Sequence, residues 1–250
     1  MKKQKPSSIP VKLIGSIIVV LVCVFIIGSL WKGLKNRDYF RIKDIIANGF
    51  AADVSYLKGR NIFEIDLNKE AEYLVRTYPC YKIVKLIRIL PNRLFLRCLK
   101  RQPLAYVKLY RYFYVDSNSV IFNADNQVID ADLPVILGLE AKIFSPKDGK
   151  NYNDVKELGL ALDIIKSLSL NKGDGEYKIK KIDASNLVNA SFYLCLEGND
   201  FLLEVRTGHE HIGDKINILS SLLAQMNKER FNIKYIDLRF KEPVIKFRDK

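Results

Sequence analysis

An unbroken apolar run near the N terminus is the strongest hydrophobic pattern in the chain. Residues 13–31 read LIGSIIVVLVCVFIIGSLW and include no charged side chain. A helix of that length would be roughly 28 Å long, close to the thickness of the hydrocarbon core of a bilayer. The run also exceeds the apolar core of a cleaved signal peptide. It therefore predicts an uncleaved transmembrane anchor over residues 13–31, preceded by a tail of residues 1–12.

Basic residues stand on both sides of this run, so counting them leaves the orientation open. The tail contains lysine at positions 2, 3, 5 and 12 and no acid. A short basic tail most simply stays in the cytoplasm, whereas a long C-terminal part can cross a membrane regardless of its charge. We therefore expect a cytoplasmic N terminus and extracytoplasmic C-terminal domains.

Strand and helix patterns alternate from residue 38 to residue 102. Partial alternation predicts a first strand, Asp53 is expected to cap a short helix, and Asp66 to cap a longer helix with one apolar stripe. Two β-rich runs follow, joined by a Pro-Asn turn. The predicted strands cover residues 38–47, 81–89 and 93–100. The order strand, helix, helix, strand, strand predicts a small α+β domain with its helices on one face of the sheet.

From residue 103 to residue 250 the pattern changes to short strands and two amphipathic helices. The helices are predicted to begin near Asn153 and to cover residues 214–228, and the chain closes with strands over residues 234–240 and 244–248. Pro243 stands between these two strands, so the last strand is expected at a sheet edge. The whole chain is predicted to be α+β, and this second part to be an antiparallel β domain with flanking helices.

Charge adds little to this picture. The chain has 41 Lys and Arg against 28 Asp and Glu, a formal net charge of +13. Such a field favours anionic lipid headgroups, anionic wall polymers, acidic partners or nucleic acid. The basic residues are scattered along strands and turns, which favours a solvated surface, and no nucleic-acid partner is expected. The four cysteines, at positions 23, 80, 98 and 195, have no paired spacing and predict no obligatory disulfide.

Catalytic and metal-binding motifs are largely missing from the sequence. There is no phosphate-binding glycine loop, no nucleophile elbow and no Cys-x-x-Cys pair, and His209 and His211 have no third ligand nearby. Ser55 and Lys58 fit the Ser-x-x-Lys pattern of penicillin-binding enzymes, but on a short surface helix chance is the better explanation. We therefore expect no enzyme activity, no cofactor and no metal.

Several short motifs occur in a recognisable order along the chain. They are YFRI at 39–42, NG at 48–49, GRNIFEID at 59–66, YP at 78–79, IRILPNRL at 87–94, RQPLA at 101–105, YVD at 114–116 and YIDLRF at 235–240. With the basic tail and apolar run before them, the chain resembles the FtsQ/DivIB family of bacterial cell-division proteins over nearly its whole length. The family often has a glycine where Asn118 or Ser119 stands.

The resemblance implies a fold and a function. Residues 38–102 are expected to be a POTRA domain and residues 103–250 an FtsQ-type β domain. A protein of this family is a bitopic scaffold of the divisome, located in the cell (inner) membrane at the division septum. Its β domain binds small bitopic division proteins of the FtsB and FtsL type and links them to septal peptidoglycan synthesis, whereas its POTRA domain contacts other divisome proteins.

The same resemblance implies a partner site at the C-terminal edge strand. In the family the partner docks at the end of the strand that matches residues 235–240, so Arg239 and Phe240, with Tyr235 and Asp237 before them, are the candidate partner-binding residues. An exposed edge strand can also pair with a partner strand. In the alternative interpretation Arg239 is a solvated edge charge and Phe240 a core residue. Alternative functions are a membrane-anchored wall-binding protein and a polypeptide-transport POTRA protein.

Overall fold

The computed structural model describes residues 11–35, 38–123, 132–170, 177–196, 202–226 and 232–248. The chain divides into two compact units, each with its own sheet. The first unit comprises Met1–Thr77 and Tyr81–Leu99, and the second comprises Tyr78–Cys80 and Lys100–Lys250.

The first unit contains a long helix and a three-stranded sheet in the order β1-β3-β2, with β1 parallel to β3. Its elements are α1 (Val11–Lys35), β1 (Asp44–Asn48), α2 (Leu67–Thr77), β2 (Tyr81–Ile89) and β3 (Arg93–Lys100). Asp66 caps α2 as predicted, because its carboxylate accepts hydrogen bonds from the backbone of Asn68 and Lys69 at 3.1 and 3.2 Å. The helix packs on one face of the sheet, where Leu74, Leu86 and Leu94 are buried.

Two local predictions for this unit are wrong. Residues 38–40 form a 3-10 turn rather than the start of a strand, and Ile42 N donates instead to the carbonyl of Arg60 at 3.0 Å. The short helix after Asp53 is a single 3-10 turn, Ser55–Leu57. Asp53 accepts from Ser55 N at 2.8 Å, so the capping interaction exists without a helix to follow.

Helix α1 has 25 residues, and its described side chains, residues 16–29, are all exposed. Within the residues that the structure describes, no helix combines the length and the apolar character needed to cross a membrane. The anchor predicted over residues 13–31 falls partly on positions 13–15, 30 and 31, whose side chains lie outside the described set.

The second unit is a nine-stranded sheet with two helices. Its strand order is β12-β11-β10-β9-β8-β7-β4-β5-β6. The elements are β4 (Ala105–Lys108), β5 (Tyr112–Val115), β6 (Ile121–Asn123), β7 (Val135–Leu137), α3 (Lys156–Leu170), β8 (Tyr177–Asp183), β9 (Ala190–Leu196), β10 (Leu202–Thr207), α4 (Ile212–Gln225), β11 (Ile233–Asp237) and β12 (Val244–Phe247).

The predicted antiparallel character of this sheet is wrong in part. Three neighbouring pairs are parallel: β4 with β7, β7 with β8, and β10 with β11. The last two pairs are each connected through a helix, α3 or α4. A helical crossover returns the chain to the edge of the sheet where the previous strand began, so the next strand runs in the same direction. The overall α+β class is confirmed, with most of the sheet in this unit.

One hydrophobic core lies between the helices and one face of this sheet. Strand residues such as Phe192, Leu194, Val205 and Ile236 pack there with Ile216 and other apolar residues of α3 and α4. Because side chains alternate along a strand, the residues between them point to the opposite face of the sheet, which we call the outer face. Glu204 and Tyr235 lie on that face.

A buried ion pair fixes the loop after β5. The carboxylate of Asp116 accepts from Arg101 Nη1 at 2.7 Å and from the backbone of Asn118 and Val120 at 2.9 and 3.0 Å. In the same loop Ser119 has a φ of 59°, in the left-handed region that favours glycine. A glycine would adopt this backbone at position 119 without the strain that a Cβ causes.

Candidate partner-binding surface

The candidate residues of β11 lie beside two charged residues of β10. The two strands are parallel, with Glu204 opposite Tyr235 and Arg206 opposite Asp237. All four residues lie on the outer face, because Val205 and Ile236 between them point into the core. The pairing therefore places the acidic Glu204 and Asp237 and the basic Arg206 close to the ring of Tyr235.

Asp237 is held in a tight pair with Arg239, two residues later. Asp237 is only 4% exposed, and its carboxylate accepts from Arg239 Nε at 2.9 Å and from Arg239 Nη2 at 2.5 Å. The hydrogen bonds from Arg239 lower the pKa of Asp237, although burial acts in the opposite direction. A further bond joins Arg239 Nη1 to the side-chain oxygen of Asn189 at 2.6 Å. Arg239 is thus oriented by two partners.

Arg206 lies over the ring of Tyr235. Its guanidinium carbon is 4.1 Å from the ring centroid, within the range of a cation–π interaction. Arg206 Nε also donates to Glu204 at 2.8 Å, and this hydrogen bond raises the pKa of Arg206. Tyr235 is half-buried as a result, so it contributes an aromatic surface that is already packed on one side.

Phe240 is the exposed apolar residue of this region. Strand β11 ends at Asp237, three residues before the predicted end at residue 240, and directly after it the backbone N of Arg239 donates to the Asp237 carboxylate at 3.0 Å. The ring of Phe240 is 61% exposed and lies 5.9 Å from the guanidinium carbon of Arg239. The alternative that made Phe240 a core residue is therefore wrong, whereas Arg239 is exposed, as that alternative had it.

The edge strand beside the candidate residues is β12, as predicted for the last strand, and not β11. Tyr235 and Asp237 lie on a strand whose backbone is paired on both sides. Arg248 N donates to Asn232 O at 2.9 Å, so by alternation the amide groups of Val244 and Lys246 point towards β11. Those of Ile245 and Phe247 point away from the sheet and are available to another strand. The edge-strand role predicted for residues 235–240 thus passes to β12.

Sequence reasoning missed Glu204, Arg206 and Asn189. The alternation in LLEVRT shows that Glu204 and Arg206 share one face of a strand. It gives no sign that this strand lies beside β11, because that parallel pairing is made through α4. Asn189 precedes β9, and no periodicity marks it.

The other candidate chemistry does not assemble into a site. Ser55 is exposed and its hydroxyl donates to the carboxylate of Asp53 at 3.0 Å. Hydrogen bonds from Ser55 lower the pKa of Asp53, which makes this carboxylate a weaker base. In the described parts of the chain no three His, Cys, Asp or Glu side chains are grouped as a metal site would require. The four cysteines are free thiols.

Comparison with known proteins places the chain among cell-division proteins. The family described as cell division protein FtsQ/DivIB, C-terminal, matches residues 105–239. The chain is 25% identical over 220 residues to the cell division protein FtsQ of Syntrophotalea carbinolica, covering 85% of this chain and 75% of that protein. It is 22% identical over 223 residues to FtsQ of Geotalea daltonii, covering 88% and 77%. It is 24% identical over 234 residues to the cell division protein DivIB of Clostridium botulinum, covering 89% and 87%.

Proposed function

From the premise that this chain belongs to the FtsQ/DivIB family of cell division proteins, we propose that it is a bitopic scaffold of the bacterial divisome. In this role the protein binds small bitopic division proteins of the FtsB and FtsL type and links them to septal peptidoglycan synthesis. The observation that carries the proposal is the exposed edge strand β12, which lies next to Phe240 and the Asp237–Arg239 pair.

The partner strand would add to the sheet at β12. Outward-pointing amide groups of Ile245 and Phe247 supply backbone hydrogen bonds, and the exposed side chains of Val244 and Phe247 supply apolar contacts. Arg239 and Phe240 lie just before this strand, and an arginine beside an aromatic ring has the composition of an interface hot spot. Because Asp237 and Asn189 already orient Arg239, its guanidinium group loses little freedom on binding.

We also propose that α1 anchors the protein in the cell (inner) membrane by a span over residues 13–31, with residues 1–12 in the cytoplasm. In support of this span, the described large apolar residues of α1, such as Ile17 and Phe25, are at least half exposed. Side chains that contact lipid would be exposed in this way. The remaining assignments, a POTRA domain over residues 38–102 and a β domain over residues 103–250, rest on the motifs that the family shares.

Two other functions remain as alternatives to be tested. A basic wall-binding protein would hold anionic polymers through charge alone, and its binding would weaken steeply with salt. A polypeptide-transport protein would bind unfolded chains rather than one division partner. A catalytic role has no assembled site to support it, since Ser55 is bonded to Asp53.

The localisation of a fluorescent fusion of the full chain in dividing cells of its source tests the proposal. We expect a band at the septum. A uniform envelope signal, together with no binding of that partner by the purified full chain, would overturn the scaffold role and favour the wall-binding alternative. Alkaline carbonate extraction of the same membranes tests the anchor separately.

A further inference from the structure

We propose that the open face of the three-stranded sheet binds the anionic headgroups of the membrane in which the protein is anchored. This open face is the side of the sheet opposite α2. The inference rests on the anchor proposed above, and it concerns a different surface from the partner site of the second unit.

The open face is unusually apolar for an exposed sheet. Strand β2 presents Ile87 and Ile89, which are 47% and 40% exposed, and β3 presents Leu99, which is 53% exposed. The parallel register places Ile46 of β1 beside the half-buried Phe95. An apolar face of this kind, which no described residue of the first unit covers, indicates an interaction surface.

The charges on the same face are almost all positive. Residues 73–115 contain no Asp or Glu, so the hairpin of β2 and β3 has only basic ionisable groups apart from its tyrosine and cysteine side chains. Lys85 and Arg97 line one shallow groove with Ile83 and Leu99. The one acid on the face, Asp44, is 3.5 Å from Arg93. Among the described residues neither Lys85 nor Arg97 has an acidic partner, so the face is complementary to an anionic surface.

The length of the connection from α1 favours lipid as the occupant. Only residues 36 and 37 separate the end of α1 from the 3-10 turn that begins at Asp38. The anchor proposed above ends at residue 31, so the helical residues 32–35 add about 6 Å and the two-residue connection about 7 Å at most. A unit tethered this close to a membrane anchor is held near the headgroup region, where aliphatic and basic side chains together bind anionic lipids.

A tryptophan placed on the open face can report this contact. The full chain has one tryptophan, so Trp31→Phe removes the native tryptophan fluorescence. In this background Ile87→Trp places a single tryptophan on the open face. Tyr73→Trp places one on α2 and is the matched control. Both proteins are placed in vesicles of equal parts phosphatidylglycerol and phosphatidylcholine that contain a lipid with a nitroxide headgroup. We expect Ile87→Trp to be quenched at least twice as strongly as Tyr73→Trp, and this difference to disappear in phosphatidylcholine alone.

Charge reversal then tests the basic residues. Each basic residue near an anionic surface favours contact by about fivefold, so Lys85→Glu with Arg97→Glu should reduce the equilibrium constant for contact by roughly twentyfold or more. The control pair Lys69→Glu with Arg76→Glu makes the same change in net charge on α2 and should leave the quenching unchanged. Thermal unfolding followed by circular dichroism checks that both double variants remain folded.

Equal quenching at the two positions, or quenching that is the same without phosphatidylglycerol, would overturn the proposal. Protection of Ile87→Trp from aqueous iodide without quenching by the lipid nitroxide would also overturn it and would assign the open face to a protein, such as a second copy of the chain. Alkaline carbonate extraction reports on α1 alone, because it removes proteins held only by surface charge. Resistance to extraction without a quenching difference would support the anchor and overturn the proposal for the open face.

Discussion

The carboxylate of Asp237 accepts hydrogen bonds from three nitrogens of Arg239: the backbone N at 3.0 Å, Nε at 2.9 Å and Nη2 at 2.5 Å. The backbone bond bends the chain directly after β11, while the guanidinium bonds neutralise a carboxylate that is almost fully buried. The same two residues therefore end the strand and fix the position from which Phe240 projects. Arg239 contributes to stability as well as to the proposed partner site, whereas Phe240 contributes to the partner site alone, so substitution of Phe240 can separate the two effects.

Removal of Arg239 should destabilise the protein itself. Arg239→Ala leaves the buried Asp237 carboxylate without its charged donors, and we expect the free energy of unfolding to fall by about 2 kcal/mol. Arg239→Lys should recover only part of this loss, since an ammonium group cannot make two parallel hydrogen bonds. Arg206→Ala is the matched control, because the more exposed Arg206–Glu204 pair should contribute less than about 1 kcal/mol. Urea unfolding of the full chain in detergent measures all three values.

The same pair makes stability depend on pH in the acid range. Because the pKa of Asp237 is lowered from its ordinary value of 3.8, the pair stabilises the protein at pH values above that value. This contribution is lost as the pH falls through the lowered pKa of the folded state. Asp237→Asn should therefore be less stable than wild type at neutral pH, and the difference should shrink below about pH 4. A difference independent of pH would show that the carboxylate charge has no part in it.

Phe240 should act in binding and not in folding. Phe240→Ala removes an exposed aromatic anchor, and we expect the affinity for an FtsB-type partner segment to fall by about 2 kcal/mol, roughly thirtyfold in Kd. The melting temperature should not change. Phe144 is 92% exposed in the same unit, so Phe144→Ala removes an equal apolar surface elsewhere and should bind normally. Unchanged affinity of folded Phe240→Ala by calorimetry would exclude Phe240 from the interface.

The backbone of β12 should contribute separately from its side chains. Ile245→Ala shortens the side chain and keeps the outward N–H group, whereas Ile245→Pro also removes that N–H group. We expect Ile245→Pro to bind the partner at least about 1 kcal/mol more weakly than Ile245→Ala, the value of one hydrogen bond. Equal affinities of the two variants, with circular dichroism showing both folded, would contradict strand addition at β12.

Ser119→Gly should stabilise the second unit. The left-handed backbone at Ser119 costs a residue with a Cβ about 1 kcal/mol, and part of this is offset because glycine gains freedom in the unfolded chain. We expect a gain of several tenths of a kcal/mol in the free energy of unfolding. Asn118→Gly is the control: its φ is not positive, so the same added flexibility should destabilise. A loss at both positions would contradict the strain assigned to Ser119.

Much of the architecture followed from local patterns in the sequence. The cap at Asp66, the amphipathic helices and the closing hairpin with its edge strand depend on neighbouring residues, and the structure has them close to their predicted places. The motif order also indicated the family that residues 105–239 match. These features are fixed by periodicity, capping and turn chemistry, which act within a few residues along the chain.

The candidate site, in contrast, was decided by tertiary structure. Sequence reasoning named Arg239 and Phe240 and placed the last strand at the sheet edge, but it assigned the partner-docking strand to residues 235–240 and missed Glu204 and Arg206. The parallel pairing of β10 with β11 is made through α4 and brings together residues about thirty positions apart. Alternation shows which face a side chain takes but not which strand lies beside it. The sequence by itself therefore determined the elements and the family, while sheet order determined which charges surround Tyr235 and which strand is left open to a partner.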